Sequence, residues 1–331
     1  MKVVIPVAGL GSRMRPHTHT QPKALLPVAG KAILAHIVDN LRTYGLRDFV
    51  FVVGYLSEKI DAFLAERYPN GELRRRMVLQ EPRLGIAHAL LSARAEIEGE
   101  SEVLVVLGDT IVQFDLEAMR RTPGTVLGVR RVERPGQFGV ADLDEAGRVR
   151  RLVEKPRIPK SNLALVGVYK IHRPAALLDT IEEMIAEDAR TQGQFHLTDA
   201  LMRRVGAGEV MTTQTVDNWF DCGRKQTLLD ANATLLDRRP PEALPTFPDT
   251  VLIPPVSIGE GCDIRASVIG PHVAVADHTT VYGSVVRDTI VGAYSKLENV
   301  VLHRSLIGND TSLRGLSQSL SIGDDTEIDF S

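Results

Sequence analysis

Residues 9 to 28 read GLGSRMRPHTHTQPKALLPV and follow directly on a strand-like apolar run, VVIPVA. Arg13, Arg15 and Lys23 stand in this stretch, and the first acidic residue of the chain is Asp39. The chain as a whole carries a net charge of −3. The positive charge is therefore local, which suits a small anionic ligand held here and not a generally basic surface. Gly9 and Gly11 carry no side chain, so backbone N–H groups beside them can approach a phosphate closely, with Arg13 and Lys23 adding charge. Pro16, Pro22 and Pro27 stiffen the loop.

Two common phosphate-binding patterns do not fit. A dinucleotide fingerprint needs a third glycine at position 14, which is Met14, and a helix opening where Pro16 stands. A Walker A loop needs Ser or Thr after Gly30-Lys31, and Ala32 follows.

The elements that must position such a loop can be read from periodicity. Ile33, Leu34, Ile37, Val38 and Leu41 recur at helical spacing, and DFVFVVG (48 to 54) is a continuous apolar run of the kind buried on both faces of a parallel sheet. Ser57 is predicted to cap a helix carrying Ile60, Phe63 and Leu64; 76 to 80 reads as strand, 86 to 97 as helix and 102 to 109 as a buried strand. This alternation predicts an α/β fold. From 124 onward consecutive strand patterns predict an antiparallel addition to the sheet, after which helices resume at 174 to 188 and 197 to 206.

The stretch 238 to 255, RRPPEALPTFPDTVLIPP, contains six prolines and reads as a linker. Beyond it Ile258, Ile264, Ile269, Val275, Val281, Val286, Val291, Leu297, Leu302, Ile307 and Leu313 follow at steps of five or six, with Gly and small polar residues between them. A period near six predicts a parallel β-helix of about three to four coils, each short strand pointing one aliphatic residue inward.

Composition narrows the function classes. With 331 residues, 44% of them apolar, the chain can build one large core and a smaller second unit. The mild negative charge gives no footprint for nucleic acid or an anionic membrane, and no run approaches the ~18 apolar residues needed to cross a bilayer. Cys222 and Cys262 are the only cysteines, too few for a disulfide framework or a zinc site, so reduced thiols in a cytoplasmic protein are expected.

The run Gly9-Leu-Gly11-Ser12-Arg13 through Pro16, Thr18, Pro22-Lys23 to Leu25-Leu26-Pro27-Val28 closely resembles the signature loop of the sugar-1-phosphate nucleotidyltransferases, the glucose-1-phosphate thymidylyltransferase group in particular. Further blocks match in order: Gln80 to Gly85 with Ala87, Gly108-Asp109, Phe138-Gly139-Val140, Glu154-Lys155-Pro156, Val166 to Tyr169, Leu197-Thr198-Asp199, and Trp219 to Gly223. The likeness covers about residues 1 to 235, and the tail resembles the left-handed β-helix appended to many members. What it implies is a Rossmann-like mixed sheet flanked by helices (1–237), a linker (238–255) and a left-handed parallel β-helix (256–331).

The implied reaction joins an NTP to a sugar 1-phosphate, releasing pyrophosphate. The expected substrates are dTTP or UTP with glucose 1-phosphate; UTP with N-acetylglucosamine 1-phosphate, GTP with mannose 1-phosphate, and a catalytically inactive nucleotide-sugar sensor are the alternatives. The sugar phosphate is already an anion, so its attack on the α-phosphorus needs no general base; positioning and charge neutralisation suffice. By resemblance, Gly9, Gly11, Ser12 and Arg13 cradle the triphosphate, Lys23 lies by the α-phosphate, and Lys155 holds the sugar phosphate. Asp109 and Asp221 would bind Mg²⁺, a hard ion that takes carboxylate oxygen. Gln80, beside the Gly85 backbone, would read the base with both donor and acceptor; Gly139, Glu154 and Gly167 would meet the sugar.

Some positions depart from the family pattern: Ser12 stands for the usual Thr, His17 for a common Leu, Val166 for a frequent Thr, and Gln194 for a frequent acid. In the tail, His272, His278 and His303 could each serve as the base of an acyltransferase. The small-molecule substrates are the expected partners, and the tail is expected to mediate homo-oligomerisation or to cover part of the catalytic domain, because an open β-helix end needs capping.

Overall fold

The computed structural model describes residues 1–69, 71–240, 243–315 and 317–329. Positions 241 and 242 of the proline-rich stretch, and 316, 330 and 331 of the tail, lie outside the described residues. The chain divides into two compact units, Met1–Gly9 with Ile37–Trp219, and Leu10–His36 with Phe220–Ser331. The first polypeptide crossing falls inside the glycine-rich run, between Gly9 and Leu10.

The first unit is a mixed nine-stranded sheet. Its strands are β1 (Lys2–Pro6), β2 (Asp48–Val53), β3 (Arg74–Leu79), β4 (Glu102–Val106), β5 (Thr125–Arg131), β6 (Gly139–Leu143), β7 (Val149–Glu154), β8 (Leu163–His172) and β9 (Met211–Thr215). They run in the order β7-β6-β8-β4-β1-β2-β3, with β5 pairing both β8 and β9. Strands β4, β1, β2 and β3 are parallel, and β8 joins them antiparallel to β4. The apolar runs become the buried centre: Val3, Val4 and Ile5 of β1, and Phe49 to Val52 of β2, are fully buried. From β1 the chain moves outward through β2 and β3, then returns to the other side of β1 for β4. That reversal opens a crevice at the carboxyl ends of β1 and β4, the place where open α/β sheets bind ligands.

The helices are α1 (Ile33–Thr43), α2 (Ser57–Arg67), α3 (Ile86–Ser92), α4 (Pro174–Ala186), α5 (Leu197–Gly206) and α6 (Lys225–Asp237), the first two over the apolar spacing described above. Two details differ. Ser57 is the first helical residue of α2, not its cap: the capping position is Leu56, in a left-handed conformation (φ 52°), with no side-chain bond. The helix predicted over 86 to 97 is broken at Ala93, where a separate turn, Arg94–Ile97, begins.

The second unit carries a stack of short parallel strands in three five-stranded sheets, consistent with a left-handed β-helix. Five coils exceed the three to four expected. The first begins at Val251–Leu252, inside the proline-rich stretch, and as an edge strand it tolerates that composition. The reading of inward aliphatics holds: Ile264, Val281, Leu297 and Leu313 sit in register on one sheet, each at most 1% exposed.

The small polar residues between them are also interior. Ser295 and Thr311 are buried, and each hydroxyl donates to a carbonyl one coil on (Gly308 O at 2.9 Å, Gly323 O at 2.9 Å); the Ser295 hydroxyl also accepts the Thr311 N–H at 3.3 Å. At another corner Ser267 and Ser284 each accept an N–H from one coil on (Ser284 N–H at 3.1 Å, Val300 N–H at 3.2 Å) and donate to a carbonyl two residues back in their own coil (Arg265 O and Tyr282 O, both 2.7 Å). A buried hydroxyl is costly unless bonded, and stacking identical coils satisfies each one by repetition.

Candidate active site

In the first unit, the ends of β1 and β4 are tied together by the Gly108 N–H, which donates to Pro6 O at 3.2 Å. Asp109 follows at once, partly buried, in the turn between β4 and a short strand, Thr110–Gln113; no helix starts there for it to cap. The Thr110 hydroxyl donates to its carboxylate at 3.2 Å. Opposite β4, strand β8 is irregular between Leu165 and Tyr169. Gly167 lies in that irregularity, its carbonyl accepting the Leu107 N–H at 2.8 Å. Tyr169, where pairing with β5 resumes after the irregularity, is 5% exposed. The Tyr169 phenol is pushed well above its ordinary range by burial, with the Glu154 and Asp109 charges adding to the effect.

Glu154 ends β7 and gathers a polar cluster. Its Oε2 accepts the Thr198 hydroxyl at 2.7 Å, and Oε1 stands 3.4 Å from Lys155 Nζ and 3.6 Å from His196 Nδ1. Thr198 and His196 come from the first turn of α5 and the residue before it. Gly139 leaves room for this: a methyl there would stand 2.9 Å from Thr198 Oγ1 and 3.1 Å from Glu154 Oε2. Lys155 has φ 40°, a conformation few non-glycine residues adopt, while its N–H donates to Phe138 O at 3.0 Å. His196 is only 6% exposed, and its Nε2 has no hydrogen-bond partner among the described residues. Trp219 packs edge-on against Phe138, ring centres 4.7 Å apart, and is partly buried, in keeping with a packing role.

Gln80 is 4% exposed, not a surface residue. Its amide nitrogen donates to Gly85 O at 2.9 Å and lies 3.1 Å from His88 Nδ1. Burial pushes His88 below the ordinary histidine range, so near neutral pH the ring is uncharged and that nitrogen can accept. With both amide protons engaged, Gln80 presents only its carbonyl to a ligand, a narrower offer than the donor-and-acceptor reading of the sequence. Gly85 has φ 114° and ψ 177°, a region open essentially to glycine alone. A methyl there would stand 2.5 Å from Phe195 O.

In the second unit the loop is three tight 3₁₀ turns, Ser12–Met14, His17–His19 and Lys23–Leu25. Ser12 and Arg13 are exposed on the first turn, and Gly9 is exposed at the end of the first unit's opening segment. Gly11 sits at φ 63°, and a methyl on it would lie 2.9 Å from Thr18 Cγ2 and 3.0 Å from Lys23 Cβ. Buried Thr18 locks this corner by donating to Gly11 O at 2.9 Å. Lys23 and Asp221 come together at Gly223: a methyl there would stand 3.4 Å from Lys23 Nζ and 2.7 Å from Asp221 Oδ1, which already accepts the Gly223 N–H at 3.0 Å. The structure thus collects Gly11, Lys23 and Asp221 in one unit, and Asp109, Gly139, Glu154, Lys155, Gly167, Gln80 and Gly85 in the other. Neither Cys222 nor Cys262 is in a disulfide.

Sequence reasoning gave no role to His88, His196, Thr198 or Tyr169. Thr198 and Tyr169 lay within matched blocks; His88 had no visible signal because its partner is reached only across the turn at 85.

Among the described residues no group of three or more His, Cys, Asp and Glu is preassembled for a metal ion. Asp109 and Asp221 are carboxylates, the ligand type Mg²⁺ takes one or two at a time while water and substrate phosphate complete its shell.

Comparison with known proteins decides the family. The nucleotidyl transferase family model matches residues 2–238. The chain belongs to that family. A glucose-1-phosphate thymidylyltransferase of Streptomyces griseus is 34% identical over 329 residues, covering 96% of this chain and 89% of the relative. The bifunctional protein GlmU of Methanococcus vannielii is 28% identical over 322 residues, covering 95% of this chain and 73% of that protein. Among solved structures, a Bacillus anthracis protein assigned to glucose-1-phosphate thymidylyltransferases, in complex with sucrose, superposes with a TM-score of 0.62 at 25% identity. It covers 73% of this chain and 98% of its own. The chain is a sugar-1-phosphate nucleotidyltransferase by this membership. No helix among the described residues is long and apolar enough to cross a membrane.

Proposed function

We propose that the enzyme transfers a thymidylyl or uridylyl group to glucose 1-phosphate. A sugar-phosphate oxygen attacks the α-phosphorus, the α–β anhydride bond breaks, and pyrophosphate leaves. The nucleophile is an anion from the start, so no residue has to remove a proton. Backbone N–H groups around Gly9, Gly11 and Ser12, with Arg13, hold the β- and γ-phosphates. Lys23 neutralises charge at the α-phosphate, and Lys155 holds the incoming phosphate. Glu154, fixed by Thr198, accepts sugar hydroxyl protons, with Gly139 and Gly167 leaving space for the ring. Asp109 and Asp221 are the residues that would hold Mg²⁺, which when bound supplies charge neutralisation on the phosphates.

The observation that carries the choice of base is the engaged amide of Gln80. A carbonyl acceptor pairs with the N3–H of thymine or uracil, and equally with the N1–H of guanine, whereas cytosine and adenine present an acceptor at the corresponding ring nitrogen. The Streptomyces relative's name supports thymine, and GlmU is the reason to include uracil and amino sugars among the substrates tested. An acyltransferase role for the tail has little support. His272 is clamped between Asp288 (Nδ1, 3.0 Å) and Asp237 (Nε2, 3.1 Å), and His278 stacks on Tyr294 with ring centres 5.0 Å apart.

Pyrophosphate release from dTTP, UTP, GTP, ATP and CTP, each with glucose, N-acetylglucosamine and mannose 1-phosphates and Mg²⁺, tests the assignment. The expected result is the highest kcat/KM for dTTP or UTP with glucose 1-phosphate, and CTP at least about 100-fold poorer, as when a buried acceptor is left unpaired. A preference for GTP, ATP or CTP would overturn it.

A further inference from the structure

The loop that carries Gly11, Arg13 and Lys23 is bonded to the far end of the chain. His17, only 3% exposed, places Nε2 3.1 Å from the Ser321 hydroxyl. The Thr20 hydroxyl donates to Asp324 Oδ2. Asp324 is itself anchored, because its Oδ1 accepts the Asn309 N–H of the preceding coil at 2.7 Å. Gly323, between these two contacts, lies flat against Pro16: a methyl on it would stand 3.1 Å from Pro16 Cβ. Lys225, at the start of α6, donates to Leu320 O at 2.8 Å and closes the same patch. The last coil therefore grips the loop at Pro16, His17 and Thr20, on both sides of Thr18, the residue whose hydroxyl locks Gly11.

We propose that the last coil of the β-helix holds the phosphate-binding loop in its working shape, with Ser321 and Asp324 as positioning residues acting through His17 and Thr20. The proposal rests on the reading that this loop binds the NTP phosphates. Its physical content is preorganisation. A loop already fixed in the geometry that receives the triphosphate loses less freedom on binding than one that must order itself. The contacts bear on the half of the loop that sets Gly11 and Lys23, so the effect falls on nucleotide capture. His17 is adapted to this place: burial, reinforced by Lys225 and partly opposed by Asp324, lowers its pKa to about 4, so near neutral pH the ring bonds Ser321 without charge.

The test compares Asp324→Ala, Asp324→Asn, Ser321→Ala and Thr20→Val in the full-length enzyme. Steady-state kinetics are paired with hydrogen exchange of amides 10 to 25 and a thermal melt. The expected result is a rise of about 5- to 10-fold in KM for the NTP with Asp324→Ala, and a smaller rise with Thr20→Val and Ser321→Ala. In each case kcat and the KM for sugar 1-phosphate should stay within about twofold, and exchange in 10 to 25 should be faster. Asp324→Asn keeps an acceptor for Asn309 and a polar partner for Thr20, and should restore most of the affinity. Combining His17→Leu with Ser321→Ala should do no more harm than either alone, because the two share one bond. An unchanged KM for NTP in Asp324→Ala, or a fall in melting temperature with no change of KM, would overturn the proposal. Arg13→Ala separates the two ideas. If it raises the KM for NTP while Asp324→Ala does not, only the buttress fails; if neither does, the phosphate-loop reading itself is wrong.

Discussion

Lys23→Ala should lower kcat/KM for NTP and sugar 1-phosphate by about 10²- to 10³-fold, the range found when one preorganised partner of a transition-state anion is removed. The argument rests on position. Lys23 leaves a tight turn directly after Pro22, its Cβ packs at the corner made by Gly11, and its ammonium comes beside Gly223 and Asp221. Charge on the α-phosphoryl oxygens has to be offset where two polyanions meet, and a methyl group cannot do it. Lys23→Arg should recover only part of the rate, since a planar fork does not fit a place shaped for a compact ammonium. The side chain is only partly buried, so the melting temperature should move little. Steady-state kinetics with a thermal melt check both halves; a loss under about fivefold would remove Lys23 from the chemistry.

Gly85→Ala should have the second largest effect and a different profile. The backbone at 85 lies in a region that costs other residues about 1–3 kcal/mol, and the new methyl would meet the Phe195 carbonyl at 2.5 Å. That carbonyl accepts the Ala87 N–H, and the Phe195 N–H donates to Leu84 O, so the obstacle is stitched backbone and cannot swing away. The turn must shift, carrying off the carbonyl that orients Gln80. We expect a KM for NTP raised at least tenfold, a weakened preference for dTTP and UTP over CTP, a lower melting temperature, and an almost unchanged KM for sugar 1-phosphate. The diagnostic quantity is the ratio of kcat/KM between UTP and CTP. A Gly85→Ala enzyme of wild-type discrimination would show that base reading lies elsewhere.

The parts of the molecule legible in the sequence are those where one physical demand dominates. Continuous apolar runs such as DFVFVV had to be central parallel strands, and aliphatic residues five or six apart had to point into a stacked core. Other features depend on competition that spacing does not reveal. Ser57 has the chemistry of a cap, but Leu56 takes the left-handed position before it and the hydroxyl is not used. The coils were undercounted because the aliphatic signal thins at both ends, at Val251–Leu252 among prolines and at Ile322 and Ile328 among polar residues. Thr279, Ser295 and Thr311 read as polar filler, and only stacking shows them to be buried and bonded.

The candidate site divides in the same way. Glycines, lysines and acids in ordered blocks were visible because phosphate chemistry demands those types. Their supports were not: Thr198 for Glu154, His88 for Gln80, and Ser321 for His17, the last joining positions 304 residues apart. His17 stood out only as an unexpected residue, and a departure in sequence became a contact in space.

The central claim is that a non-bridging oxygen of the sugar phosphate attacks the α-phosphorus of the nucleotide and becomes the bridge of the product, so that the bond broken is the α–β anhydride and pyrophosphate keeps only oxygens of the nucleotide. Glucose 1-phosphate carrying oxygen-18 in its three non-bridging positions, incubated with unlabelled dTTP, Mg²⁺ and the enzyme, can be followed by phosphorus NMR. The account predicts one labelled oxygen in the bridge between the two phosphorus atoms of the product and none in pyrophosphate. Labelled pyrophosphate, or an unlabelled bridge, would contradict it.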